Sequence, residues 1–187
     1  MSRTIDVTVT YLEMREPGAL IPAVRPENDY TVARMDEPVP EYARFLYTAV
    51  GGSWYWTDRL RWSYAEWQSH VARPEIHTWV GYVNGAPFGY FELQDEPGPE
   101  VQIQAFGLLP QFIGRGLGGA LLTDAIRHAW LRGPRRLWVH TCTLDGAHAL
   151  NNYRARGLRV YKEESTRQEL DDSPPGPWPG ARAPLGR

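Results

Sequence analysis

Gly114, Gly116, Gly118 and Gly119 stand close together where an amphipathic helix begins. Glycine lets the backbone pass close to a ligand and turn its amides outward. The first amides of a helix have no partner inside it, and the helix dipole makes that end partly positive. A phosphate or pyrophosphate is the guest such a turn suits. The bland alternative is a sharp turn that merely opens a helix, for which one glycine would suffice. A P-loop is excluded, because it ends in Gly-Lys-Ser/Thr and here the glycines run into Ala120 and Leu121. Gly114, Gly116 and Gly119 spell the dinucleotide fingerprint GxGxxG. That fingerprint wants a tight turn straight after the strand, whereas residues 110–114 intervene, and too little chain follows for a second nucleotide-binding half.

The elements around this turn can be read from period and punctuation. Residues 101–109 are apolar with polar residues interleaved, a strand that Pro110 ends. Beyond the glycines, Leu117, Leu121, Ala125 and Ala129 recur every four residues beside Leu122, Ile126 and Trp130. Thr123, Asp124, Arg127 and His128 fill the other side of this helix. Upstream, residues 4–14 alternate as a half-buried strand, expected at a sheet edge. Pro17, Pro22 and Pro26 make the next stretch a loop, and a short strand follows at 30–35. Residues 38–50 read as a helix ended by Gly51 and Gly52. Ser63 with Glu66 reads as a capping box opening a second helix that runs to about 72. Residues 76–82 and 87–93 are strands around the hairpin signal Asn84-Gly85. After Gly133-Pro134 comes a strand at 135–143, parallel to the strand before the glycines because a helix joins the two. A helix over 146–156 stops at Gly157, and a last strand covers 158–164. The proline-rich tail from Ser173 cannot be helix or central strand, and in it Trp178 is a large ring that could dock on the domain or a second subunit.

At 187 residues the chain is large enough for one domain with its own core. It divides into an N-terminal strand and proline-rich arm (1–29), a central domain (30–166) and a tail (167–187). A net charge of −2 implies no nucleic-acid partner. The single cysteine, Cys142, excludes an internal disulfide and suits a reducing cytoplasm. No signal pattern opens the chain and no stretch approaches eighteen apolar residues, so no membrane partner is expected.

Following a strand and a proline, Ile113-Gly114-Arg115-Gly116-Leu117-Gly118 resembles the acetyl-CoA-binding motif of the GNAT N-acetyltransferase superfamily, R/Q-x-x-G-x-G/A. Ile113 stands where that family has Arg or Gln. A second segment carries the same resemblance: Tyr153, Gly157 and Leu158 fit the family's Tyr, three residues, Gly and an apolar residue at the end of a helix. The resemblance implies an α/β (α+β) fold, a mixed, mostly antiparallel sheet flanked by helices, to which the N-terminal strand is an addition. It implies acetyl-CoA as co-substrate, held by the loop of Ile113, Gly114, Arg115, Gly116, Leu117, Gly118 and Gly119. Pantetheine would pair with the strand at Phe106 to Leu108, where the amide of Leu108 would polarise the carbonyl. Tyr153 would be the general acid.

GNAT enzymes often place a base on the strand before the loop, but Gln102 and Gln104 there cannot take a proton. Glu92 on the neighbouring strand is the expected base, with Glu100 and His140 as second choices. The connection between the first two helices covers the acceptor in this family. Trp54 and Trp56 would then wall the acceptor site and Asp58 would attract its charge; rings that only anchor a loop are the alternative. Cys142 is not needed for direct transfer. The implied function is acetyl transfer to a primary amine of a small molecule, in the cytoplasm, by a chain that could form the homodimer common in the family. The alternatives are a protein amine as acceptor, or a non-catalytic module that binds acyl-CoA.

Overall fold

The computed structural model describes residues 2–26 and 30–176. In chain order it contains β1 (Ser2–Met14), β2 (Tyr30–Arg34), α1 (Pro40–Gly51), α2 (Tyr64–Val71), β3 (Ile76–Val83), β4 (Ala86–Glu96), β5 (Glu100–Leu108), α3 (Leu117–Trp130), β6 (Arg136–Cys142), α4 (Ala149–Ala155) and β7 (Arg159–Asp171). The seven strands form one sheet in the order β2-β3-β4-β5-β6-β1-β7. Only β5 and β6 run parallel, connected through α3. Every other neighbouring pair is antiparallel.

Local chemistry explains the element boundaries. Pro40 sits in the first turn of α1, where its missing N–H costs nothing. Ser63 and Glu66 close the capping box of α2, with the Ser63 amide 2.6 Å from Glu66 Oε2 and the Glu66 amide 3.3 Å from Ser63 Oγ. Asn84 and Gly85 both have positive φ, 49° and 79°, as the tight hairpin between β3 and β4 requires.

The two faces of the sheet carry different helices. The apolar stripe of α3, with Leu121, Leu122, Ala125 and Ile126 fully buried, packs on Phe91, Leu93, Ile103, Leu137 and Leu12. On the opposite face, Leu46, Ala49 and Val50 of α1 meet Val80, Tyr90 and Ala105. Tyr153 and Leu158 bring α4 into the α3 layer.

Three expectations need correction. The N-terminal strand is not an edge. It lies between β6 and β7, paired with β6 from Val9↔Cys142 to Met14↔Leu137 and with β7 along its length. Its even-numbered Leu12 and Met14 are core, so this strand is part of the same sheet and core as the strands that follow. The last strand runs to Asp171, past the expected boundary at 166, because β1 offers it a partner as far as Ser2. The helix expected over 146–156 is shorter, Ala149–Ala155, with no side-chain cap at His148. Trp178 lies outside the described residues.

Candidate active site

The sheet opens in its middle. β5 and β6 pair only from Glu100↔Arg136 to Ile103↔Val139, although β5 continues to Leu108 and β6 to Cys142. The cause lies at Gln104. On its β4 side the register jumps from Leu93↔Ile103 to Glu92↔Ala105, leaving Gln104 unpaired as a bulge. A bulge bends and twists its strand, and here β5 leaves β6 from that residue onward. A cleft of about 1820 Å³ fills the opening, lined by residues 103–108 on one side and by Val139, His140 and Cys142 on the other.

The free edge of β5 is polar. The Leu109 amide donates to the Phe88 carbonyl at 2.9 Å. Alternate residues of an antiparallel ladder bond the same neighbour, so Gly107 and Ala105 also face β4. The amides of Phe106 and Leu108 therefore point to the cleft. Below this edge, Gly114 and Gly116 have φ of 83° and 76°, with open space where a Cβ would stand. Gly116 is the N-cap of α3 and makes no side-chain cap hydrogen bond. The first amides of α3 are thus left for an outside acceptor. A Cβ on Gly119 would collide with the Arg156 guanidinium, which adds positive charge beside this helix end. Asn152 Nδ2 donates to the Gly118 carbonyl at 3.3 Å and ties α4 to the turn.

The other half of the cleft lies under the α1–α2 connection. Trp54, Tyr55, Trp56, Asp58, Arg59 and Trp62 line it, with Val9 and Tyr11 of β1 opposite. Each tryptophan is anchored on its far side. Trp54 would touch a Cβ on Gly146 at 3.5 Å, Trp56 meets Tyr47 at a tilt and Tyr90 edge-on, and Trp62 packs on Trp67 and His70. Tyr55, with φ of 60°, donates its hydroxyl to the Asp171 carbonyl at 3.0 Å. The Gly176 amide reaches the Gly52 carbonyl at 2.8 Å. The end of β7 and the chain beyond it therefore close this side of the cleft.

Three titratable groups stand out. Tyr153 is buried, lines the cleft and sets its ring edge-on to Phe106 at 6.0 Å. Burial, with Asp145 nearby, pushes its pKa far above that of an ordinary phenol, so it carries its proton at neutral pH. His140 follows the last β5–β6 pair and keeps contact with solvent, while desolvation by the cleft walls lowers its pKa and Asp145 and Asp58 oppose the shift. Gln102 Nε2 lies 3.4 Å from its Nδ1. Asp145 itself accepts from Thr141 Oγ1 at 2.7 Å and from the Cys142 amide at 3.0 Å, and Trp56 Nε1 approaches it at 3.4 Å.

Glu92 is not where the chemistry needs it. It is 2 % exposed and does not line the cleft. Arg59 Nη2 lies 2.8 Å from its Oε1, and His70 Nε2 is 3.2 Å from both oxygens. Burial alone would raise its pKa, but the His70 hydrogen bond and the Arg59 charge outweigh burial and hold it low. A carboxylate so paired is a poor proton acceptor.

A model of the Acetyltransferase (GNAT) family matches residues 36–158. The chain belongs to that family. Solved structures show the same GNAT fold. A GCN5-related N-acetyltransferase from Sphaerobacter thermophilus is 20% identical over 90% of this chain and 53% of its own, with a TM-score of 0.64. One from Kribbella flavida is 20% identical over 88% and 58%, with a TM-score of 0.63. The ribosomal-protein-S18-alanine N-acetyltransferase from Escherichia coli is 18% identical over 79% and 95%, with a TM-score of 0.56. The chain thus spans little more than half of the first two. The comparison with curated proteins gives no match. No helix among the described residues is long and apolar enough to cross a membrane. None of their His, Cys, Asp and Glu side chains form a group of three that could hold a metal.

Of the residues expected in this GNAT site, Phe106, Leu108, Ile113, Gly114, Arg115, Gly118 and Gly119 line the cleft, as do Trp54, Trp56, Asp58 and Tyr153. Gly116 caps α3 just outside it, and Leu117 turns its side chain into the core, so only its backbone faces the turn. Ile113 is 39 % exposed and offers no polar side chain. Arg59, His70 and Asp145 were not expected there as site residues. Asp145 carries a local signal, a short polar side chain soon after a strand, whereas Arg59 and His70 come together only at Glu92, where the α1–α2 connection and α2 reach β4.

Proposed function

We propose that this protein transfers an acetyl group from acetyl-CoA to the primary amine of a small molecule, directly and without a covalent enzyme intermediate. The observation that carries the reading is the parting of β5 from β6 above the glycine turn. It leaves a strand edge with outward amides leading from an uncapped helix N-terminus to a buried tyrosine. The residues fit the co-substrate: open space at Gly114 and Gly116 admits a pyrophosphate against the first amides of α3, and Phe106 and Leu108 offer donors to an extended pantetheine. Acetyl-CoA, when bound, supplies the activated thioester acetyl group.

The chain's own groups then have distinct tasks. The Leu108 amide donates a hydrogen bond to the carbonyl oxygen as negative charge develops on it. His140, neutral at pH 7, takes the proton that the attacking ammonium must lose. It does so in the tautomer that carries its proton on Nδ1, with the Gln102 amide oxygen turned to accept it; Nε2 then keeps its lone pair. As the carbon–nitrogen bond forms and the carbon–sulfur bond breaks, the Tyr153 hydroxyl protonates the departing sulfur, and its oxygen is reprotonated by the second proton that the acylated nitrogen sheds. The closed side of the cleft, where Tyr55 meets Asp171, favours a small acceptor over a protein chain.

Calorimetric titration with acetyl-CoA, with NADH as control, tests the reading. Saturable binding that disappears in Gly116→Val is expected, followed by release of free CoA thiol from a panel of amines. Preference for NADH, or equal acetyl-CoA binding by the variant, would overturn it.

A further inference from the structure

Arg59 has chemistry left over after its ion pair. Its side chain is nine-tenths buried, yet it lines the cleft. Nη2 bonds Glu92. The guanidinium carbon lies over the rings of Tyr47 and Trp62, 5.4 and 5.2 Å from their centroids. Among the described residues, Nε and Nη1 have no hydrogen-bond partner. They are also absent from the buried, unpartnered side-chain atoms of the described residues, which are Trp67 Nε1, Tyr90 Oη, Trp138 Nε1 and Arg156 Nε. Both atoms therefore keep some contact with solvent, on a residue that lines the cleft. Nη1 and the second proton of Nη2 form the end-on fork that matches the two oxygens of a carboxylate. The surroundings agree. His70 and Arg73 line the cleft as well, and Glu92 cancels one positive charge while bonding Nη2 alone. Asp58, next in sequence, is an exposed carboxylate in the same cleft with neither ion pair nor hydrogen bond among the described residues, and it lies near enough to His140 to affect it.

From this geometry we infer that the acceptor is an amino-acid-type molecule, whose carboxylate seats on Arg59 while its ammonium is drawn by Asp58 toward His140. The inference rests on the acetyl-transfer reading and adds the substrate class. A planar guanidinium packed against two rings recognises a flat oxyanion through direction as well as charge. Lysine in its place would keep the charge and lose the fork. The half-buried indoles of Trp54 and Trp56 leave apolar surface for the remainder of the molecule.

The test compares amino acids with their decarboxylated amines: phenylalanine with phenethylamine, leucine with isopentylamine, and tryptophan with tryptamine. Free CoA thiol is measured at matched concentrations of unprotonated amine. The wild-type protein should prefer the carboxylate-bearing member of at least one pair by about tenfold or more in kcat/KM, a span that the loss of one directional charged contact commonly covers. Arg59→Lys should bring that pair to within about threefold, mainly through KM, with acetyl-CoA binding retained. Should Arg59→Lys fail to fold, Arg59→Gln combined with Glu92→Gln replaces the ion pair by an amide pair and carries the same test. Equal use of both members of every pair, or a preference that survives in the variant, overturns the inference. If no amine is turned over, calorimetry with N-acetylphenylalanine and its amide decides, and equal binding of the two overturns it. Turnover of amines without carboxylate preference leaves the acetyltransferase reading standing, whereas loss of acetyl-CoA binding removes both.

Discussion

Replacing Glu92 with leucine should destabilise the protein by about 3–5 kcal/mol, the usual cost of leaving a buried charge without its partner. Both members are buried, at 7 % exposure for Arg59 and 2 % for Glu92, so solvent screens the pair little. Unit charges 2.8 Å apart attract by about 6 kcal/mol at an effective dielectric constant of about 20. Desolvation takes back part of that attraction, and the new leucine gains some apolar burial. Arg59→Met should cost a similar amount, because it strands the carboxylate instead. The double variant Arg59→Met with Glu92→Leu should lie near wild type or above it, since a well-packed apolar pair often equals or exceeds a buried ion pair. Urea and thermal unfolding at pH 7.5 measure all four corners of this cycle, with a fall of roughly 6–20 °C in Tm expected for each single variant.

The pH dependence has a definite sign. The folded state holds the Glu92 carboxyl below its ordinary 4.5. Its stabilisation is therefore fully present above pH 4.5 and is lost as the pH falls through the lower folded value. The gap between wild type and Glu92→Leu should narrow in that acid range and nowhere above it. Single variants within about 1 kcal/mol of wild type, or a double variant that costs the sum of the singles, would refute the claim that this pair is buried and mutually compensating.

Tyr153→Phe should lower kcat by about 10²–10⁴ while leaving the Kd for acetyl-CoA unchanged, the range for loss of a general acid; unchanged turnover would remove the hydroxyl from the mechanism. Because burial raises its pKa, Tyr153 should add no alkaline limb to the pH–rate profile at or below pH 10. If His140 is the base, kcat/KM should fall with unit slope only below pH 6.5, since its pKa is lowered from that value and the neutral ring is the active form. That limb should vanish in His140→Phe together with most of the rate, and an acid limb centred above 6.5 would exclude this assignment.

Much of the site could be read from local chemistry. Gly114 and Gly116 had to be glycine because the chain takes positive φ there, and the four-residue period of Leu117, Leu121 and Ala125 located α3 directly behind them. Ser63 and Glu66 announced α2, Asn84-Gly85 the hairpin, and the spacing of Tyr153 to Gly157 a helix end. All of these depend on a few consecutive residues, so the sequence by itself determined them. It also carried, through the same motifs, the family to which the chain belongs.

What tertiary structure alone decided concerns partners far apart in the chain. β1 alternates like an edge strand, because one of its faces is core and the other lies over an open groove; its place between β6 and β7 depends on register with strands more than a hundred residues away. Glu92 alternates with Phe91 and Leu93 as a strand carboxylate should, but only the packing of α2 on α1, with the connection between them, brings Arg59 and His70 within hydrogen-bond distance of it. That contact keeps Glu92 apart from the cleft, which Arg59 lines. The bulge at Gln104, which parts β5 from β6 and gives His140 an open ring edge, leaves no mark in the alternation of a single strand, because a bulge is defined only against its neighbour. Periodicity reports which face of an element is buried; what stands opposite that face is fixed by the register of the sheet and the seating of the helices.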